Sequence, residues 1–308
     1  MTQPIILFLF LEKIKNYEEG LFKKIKSQIF YKFKSDKELK SAVKQYTIIS
    51  TFNIAYAKYG NISLWDTALI TDMNELFFGC EDFNENINDW DVSNVTGMSY
   101  MFEACKNFNQ PLDNWDVSKV IYMYRMFKFC DNSNQSLNSW NVSNVEYMQL
   151  MFSNCLKFNQ PLNKWDVRNV TNFDMLFINC HKFNQNINSW KIEKARSMVF
   201  MFGFCVEFNQ PLDKWNISKV IFLSEMFGGC KKFNQCLNSW DVSNLKDMNA
   251  MFINCVNFNQ RLDLWDVSNV ENMESMFKEC ENFNQSLDSW NVKNVENMNQ
   301  MFEDCINF

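Results

Sequence analysis

The chain has 308 residues, 47% of them hydrophobic, which excludes a disordered tail as its main character. Aromatics are heavy, with 31 Phe and 10 Trp, while Gly and Pro number only 7 and 4, too few for a sandwich rich in tight turns. The net charge of −6 carries no bulk bias toward nucleic acid.

Residues 1–35 hold seven Lys and three Glu, a net of +4 that leaves −10 for the remainder. The apolar run Ile5–Leu11 has seven residues, with no basic segment before it and no small-residue cleavage site after it, so it does not read as a secretory leader. No stretch reaches the ~20 apolar residues that span a bilayer. An intracellular location is expected, with a surface location as the alternative. Leu21, Phe22, Ile25, Ile29, Phe30 and Phe33 share one helical face, with Lys23, Lys24, Lys26 and Lys32 elsewhere. Residues 1–37 are therefore expected to form a basic amphipathic helical segment that caps the rest of the chain. Contact of residues 21–33 with an anionic membrane is the less favoured role.

From Trp65 onward the chain repeats every 25 residues. All ten Trp lie on one ladder from Trp65 to Trp290. Ten of the eleven Cys lie on a second, Cys80 to Cys305, and a Phe ladder runs from Phe77 to Phe302. A Met ladder (Met73, Met98, Met123, Met148) breaks only at Phe173 and Leu223. Such self-similarity marks a stack in which each unit buries its apolar face against its neighbours.

Within a unit, the Trp115–Val117 step in "LDNWDVS" has the period of a strand. Val120, Met123, Met126, Phe127 and Cys130 share one face of a short helix. Ser143 with Glu146, and Ser268 with Glu271, fit capping boxes at its start. The expected fold is an α/β solenoid of about ten strand–corner–short-helix coils over residues 38–308. Its internal ladder includes Trp115, Trp140, Trp165, Cys130, Cys155, Phe127, Phe152, Met123 and Met148.

The phrase "MFxxCxxFNQ…LDxWDVSNVxxM" resembles the repeat of the BspA-family leucine-rich-repeat surface proteins, found in bacteria, mycoplasmas, protists and large DNA viruses. "MFEACKNF" also aligns with the related treponemal-type leucine-rich repeat. Residues 38–73 look like the family's opening unit, in which a short helix leads into the first "W-D". The resemblance implies a right-handed, leucine-rich-repeat-like stack, a surface or adhesion role for most members, and no catalytic residues.

Candidate chemistry is sparse. The Cys ladder supplies one Cys per coil without a second ligand type, which is poor metal spacing. Helix packing would set neighbouring Cys ~8–10 Å apart, too far for a disulfide. Free buried thiols in a reducing compartment are expected. The Asp or Asn that follows most Trp, as Asp116 follows Trp115, is expected to cap corner N–H groups. The Asn column from Asn84 to Asn284 is expected to form a hydrogen-bonded ladder. The one histidine, His181, reads as a surface residue, and no nucleophile elbow, P-loop or dinucleotide fingerprint occurs. No catalytic, cofactor-binding or metal-binding residue is assigned, and no cofactor is expected.

Specificity is expected where the coils differ: Asn114, Lys164, Lys214 and Leu264 just before Trp, and Tyr124 with Arg125 on the helix side. These sequence features point to a non-enzymatic scaffold for protein partners, without nucleic acid. A cell-surface or virion-surface adhesin of the same fold is the alternative, and a thiol enzyme using Cys236 a third class. The closing "CINF" lacks a polar cap, which admits end-to-end self-association at the C-terminal coil.

Overall fold

The computed structural model describes residues 30–308. The amphipathic segment expected over residues 1–37 thus lies outside the described residues up to position 29. The chain enters beside the first tryptophan turn. Phe33 N–H donates to the Asp66 carbonyl (3.1 Å) and Asp66 N–H to the Tyr31 carbonyl (3.0 Å).

Helix α1 (Asp36–Thr47) begins at Ser35, whose hydroxyl accepts from Glu38 N–H. Asp36 and Glu38 sit in its first turn and Lys44 in its last, as the helix dipole favours. Its buried residues Leu39, Ala42, Val43 and Tyr46 fall at i, i+3, i+4 and i+7. Helix α2 (Phe52–Tyr59) stops at Gly60, which takes φ 73°. The two helices and the entering chain enclose Trp65, with ring centroids of Phe33, Tyr46 and Tyr59 at 4.9, 5.5 and 5.8 Å. The Asp36 carboxylate accepts from Thr71 N–H (2.9 Å), and Lys40 pairs with Asp72 (2.8 Å). Helix α1 therefore lies beside the first coil and covers an edge that would otherwise offer bare backbone.

From Trp65 on, the coils are numbered 1 to 10, one per Trp. Nine parallel bridges join consecutive coils at the same phase, from Asp72–Gly97 to Asn272–Asn297. The short helix expected in each coil is absent: the described helices all lie before Trp65. Each coil is instead a chain of tight turns. In coil 3 these are Leu112–Trp115, Val117–Val120, Met123–Met126, Phe127–Cys130 and Cys130–Ser133, each closed by an N–H bond from its last residue to its first carbonyl, 2.9–3.2 Å. The end residues of each turn are buried, and the middle two are partly or fully exposed. The expected strand over "LDNWDVS" is likewise two turns, and the parallel contact falls later, at Tyr122. Ser143 and Ser268 begin no helix. Their backbone N–H groups bond to Asn141 and Asp266, the corner capping expected of that column.

The methionine wall, Met123–Cys130 in coil 3, alternates its peptides. The N–H groups of Met126, Lys128 and Cys130 close turns within the coil, on Met123, Arg125 and Phe127. Four others point along the stack: Met123, Arg125, Phe127 and Phe129 donate to the carbonyls of Tyr147, Gln149, Met151 and Ser153 at 2.7–3.0 Å. Alignment of these peptides requires positive φ at every fourth residue, 56° at Arg125 and 60° at Phe129. The same two columns recur through the coils with mostly non-glycine residues. Left-handed geometry costs an L-residue about 1–2 kcal/mol. The hydrogen bonds it enables contribute about 1 kcal/mol net each, and each buried side chain about 1.5–3 kcal/mol. Ala104 (φ 63°) provides a test of opposite sign for the two local structures. Ala104→Gly should stabilise this turn by about 1 kcal/mol, whereas a helix would lose about that much. Urea midpoints at constant m-value measure which holds.

The tryptophan wall has no equivalent backbone ladder; side chains join its coils. Each Trp from Trp90 to Trp290 donates its indole N–H to a carbonyl 28 residues earlier, as Trp115 does to Ile87 (3.1 Å). The Asn column also bonds, each Asn side chain accepting from the main-chain N–H of the next Asn and not from its side chain. The Asn109 Oδ1 accepts Asn134 N–H (2.9 Å) and Gln135 Nε2 (3.2 Å), and the backbone bond occurs eight times in all, with donors from Asn109 to Asn284.

The core is a set of aromatic columns. Phe77 through Phe302 stack face to face at 5.5–5.8 Å, with ring planes within 11°. Trp65 through Trp290 form a second column and Phe83 through Phe308 a third. The predicted ladder residues Trp115, Trp140, Trp165, Cys130, Cys155, Phe127, Phe152, Met123 and Met148 are all buried. The third column breaks at Ser133, a buried serine where other coils place Phe. Ser133→Phe should restore the ring between Phe108 and Phe158 and add about 2 kcal/mol. A melting temperature raised by several degrees is the expected readout.

Candidate interaction face

Candidate residues sort onto the two walls. Asn114, Lys164, Lys214 and Leu264 form one exposed column on the tryptophan wall. Their backbone N–H groups are tied, one coil back, to a different column two residues before Trp, Asn114 to Asn88 (3.1 Å) and Lys164 to Asn138 (3.0 Å). Lys214 and Leu264 bond Asn188 and Asn238 in the same way. The Asn114 amide also reaches Asp89 (3.3 Å), while Leu264 stands 72% exposed. Tyr124 and Arg125 lie on the methionine wall, in the middle of the Met123–Met126 turn. The predicted set is therefore not one patch.

The cysteine ladder is architectural. Each Sγ–H from Cys105 to Cys305 donates to the Phe carbonyl of the coil before, as Cys130 does to Phe102 (2.9 Å). That carbonyl also closes its own turn, so both of its lone pairs are used. The expected 8–10 Å spacing came from helices that do not exist here, since hydrogen-bonded chains lie about 4.8 Å apart. All eleven cysteines are free thiols. Burial pushes the Cys130, Cys155 and Cys205 thiols well above the ordinary range, which suppresses thiolate. Cys236 is exposed, Cys80 and Cys305 are partly exposed, and eight are buried. Maleimide should therefore label one thiol quickly, two slowly, and the remaining eight only on unfolding, as mass spectrometry of timed samples would show. His181 is exposed, inside the Cys180–Phe183 turn.

A groove of about 770 Å³ runs along Asn209, Asn234, Asn257, Asn259 and Asn282. Its amides are engaged in the ladder itself: Asn234 accepts from Asn259 N–H and from Gln260, and Asn282 donates to Asn257. This groove is the side of the stacking device.

The methionine wall differs. Its outward columns hold different residues in nearly every coil, and in coils 2–7 they include eight aromatics, among them Tyr100, Tyr122, Tyr124, Tyr147 and Phe222. Tyr122, Phe129, Tyr147, Phe204 and Phe222 are each 40–47% exposed. Tyr122 and Tyr147 stack at 5.1 Å, and Tyr100 meets Tyr124 edge to face at 5.1 Å. Arg125 holds its guanidinium 5.0 Å from the Tyr124 ring centre and 5.6 Å from that of Tyr100. The buried Glu103 carboxylate lies 3.9 Å from Arg125 and 3.5 Å from Lys128. Beside this cluster a groove of about 530 Å³ is lined by Tyr122, Tyr124, Tyr147, Gln149, Leu150, Asn172, Asp174 and Met175. Further along, glycines flatten the wall: a Cβ on Gly229 would come within 2.7 Å of the Phe204 ring, and one on Gly203 within 3.0 Å of Phe200. Tyr122, Tyr147 and Phe222 escape the sequence prediction because they precede the Met ladder. The signal was an aromatic residue in a column otherwise filled by small or polar ones, such as Gly97, Asn172 and Ser197.

Among the described residues no helix is long and apolar enough to cross a membrane. Neither curated proteins nor solved structures provide a match to the chain. A family model described as "Mycoplasma protein of unknown function, DUF285" matches residues 38–163, 122–237 and 196–308. These overlapping windows run from within α1 through the last coil, and the chain belongs to this repeat family.

Proposed function

We propose that the chain is a non-enzymatic, solenoid-type scaffold that binds a protein partner across its methionine wall. The observation that carries this is the strip Tyr100, Tyr122, Tyr124, Tyr147, Phe204 and Phe222 on one wall, held by the backbone ladder beneath it. Rigid aromatic side chains lose little entropy when covered and dominate interface energetics. A stack of parallel coils presents them in register, the usual way repeat proteins make extended binding surfaces. The tryptophan wall, by contrast, repeats Asn, Asp and Ser in columns that satisfy one another. Photo-crosslinking distinguishes the walls. A benzophenone amino acid at position 222 should trap a discrete partner in the native cell, while one at position 264 should not. Equal yields from both positions, or none from 222, would sink the proposal.

A further inference from the structure

The two halves of the methionine wall differ in charge. In coils 2–6 its outward columns carry Glu103, Glu146 and Asp174 against Arg125, Lys128 and Arg196, a balance of zero. In coils 7–10 they carry Glu225, Asp247, Glu271, Glu274, Glu279, Glu296, Glu303 and Asp304 against Lys246 and Lys278, a net of −6. The wall is thus an aromatic groove continued by an acidic tract, along one axis.

The molecule already shows what this chemistry accepts. In coils 2 and 3 a guanidinium, that of Arg125, lies over Tyr100 and Tyr124 with the Glu103 carboxylate beside it. One coil further the same ingredients recur: Tyr122 stacked on Tyr147, with the Asp174 carboxylate lining the same groove. Asp174 is held in place by Asn172, Ser197 and Val199 N–H, and it forms no ion pair among the described residues. Glu146 likewise forms no ion pair among them.

We propose that the wall binds an extended, arginine- or lysine-rich polypeptide segment of a partner, laid along the stack axis. One cationic side chain seats on the Tyr122–Tyr147 faces near Asp174, and the following residues run over the acidic tract. This inference rests on the scaffold proposal and names its partner class. Six coil steps of about 4.8 Å separate Tyr147 from the last coil, so about nine extended residues at about 3.3 Å each span the tract. Cation–π contact and charge complementarity supply the affinity and the salt dependence.

The test uses the full chain and a fluorescent ten-residue peptide of alternating Arg and Pro, with fluorescence anisotropy as the readout in physiological salt. The same peptide with Glu in place of Arg is the comparison. The Arg peptide should bind and the Glu peptide should not. Tyr147→Ser should weaken binding at least tenfold, as should Asp247→Asn combined with Glu271→Gln and Glu274→Gln, with unchanged melting temperatures. Leu264→Ser, on the other wall, should leave affinity unaltered. Equal binding of the two peptides, no effect of Tyr147→Ser, or an equal loss in Leu264→Ser would overturn the inference. So would concentration-dependent dimerisation abolished by Tyr147→Ser, which would make a second copy the occupant. A crosslinked partner at position 222 that lacks a basic segment would leave the scaffold proposal standing and remove this one.

Discussion

Deleting residues 134–158 should leave a cooperatively folding protein that melts within a few degrees of the full chain. Deleting residues 134–146 alone should abolish cooperative unfolding. The first deletion removes one full coil and restores every column across the junction. Asn159 N–H would meet the Asn109 amide carbonyl in place of Asn134, and Trp165 would donate to Leu112 in place of Leu137. Cys180 would likewise reach Phe127 in place of Phe152. Only one interface of the repeated kind is lost, and repeat stability is roughly a sum over such interfaces. The second deletion removes the tryptophan wall of coil 4 and keeps its methionine wall. Met148, Met151, Phe152 and Cys155, all buried in the intact chain, then have no Trp140 opposite them. Thermal unfolding followed by circular dichroism distinguishes the two, and identical behaviour of both deletions would refute the stacking account.

The inward residues were legible in the sequence and the local backbone was not, for one physical reason. "MxxMFxxC" places its apolar residues at i, i+3, i+4 and i+7, which is a helical face. Two successive four-residue turns produce the same spacing, because each turn starts and ends at the core: Met123 to Met126, then Phe127 to Cys130. Periodicity near 3.6 and near 4 cannot be distinguished over eight residues. The discriminating signal lay in the outward residues. The column before the ladder Cys reads Gly79, Asn154, Asn179, Gly229, Asn254 and Asp304 at six of its ten positions, residues that tolerate positive φ. A helix would gain nothing from that enrichment.

The candidate face was partly legible for a related reason. Columns that repeat serve stacking, so the repeated Trp, Cys, Phe and Asn drop out as candidates, and the variable residues remain. Tyr124 and Arg125 are among those variable residues, and they sit in the aromatic cluster. Asn114, Lys164, Lys214 and Leu264 vary as well, but on a wall whose neighbouring columns are engaged in hydrogen bonds between coils. Sequence variation alone does not say which wall a residue occupies. That depends on which peptides point along the stack.

The Asn column should prove as important to stability as the aromatic core, although its side chains are polar and only partly buried. Asn184 Oδ1 accepts both Asn209 N–H (2.9 Å) and Gln210 Nε2 (3.0 Å), and Asn159 does the same for Asn184 and Gln185. On this side of the coil the side-chain carbonyl does what a main-chain carbonyl does on the methionine wall. Asn184→Ala should leave the Asn209 N–H without its acceptor and cost about 2–3 kcal/mol. The double variant Asn159→Ala, Asn184→Ala should cost about twice that, since each orphans a different N–H. Asn184→Asp keeps an acceptor and should recover most of the loss, whereas an exposed ornamental asparagine would show no such rank order. Hydrogen exchange localises the effect. In Asn184→Ala the Asn209 amide should lose protection, while the amides of Met175, Phe177 and Asn179, which bond the next coil through main-chain carbonyls, should keep theirs. A cost below about 0.5 kcal/mol, in the range of ordinary surface substitutions, would show that the ladder is a by-product of the stacking and does not sustain it.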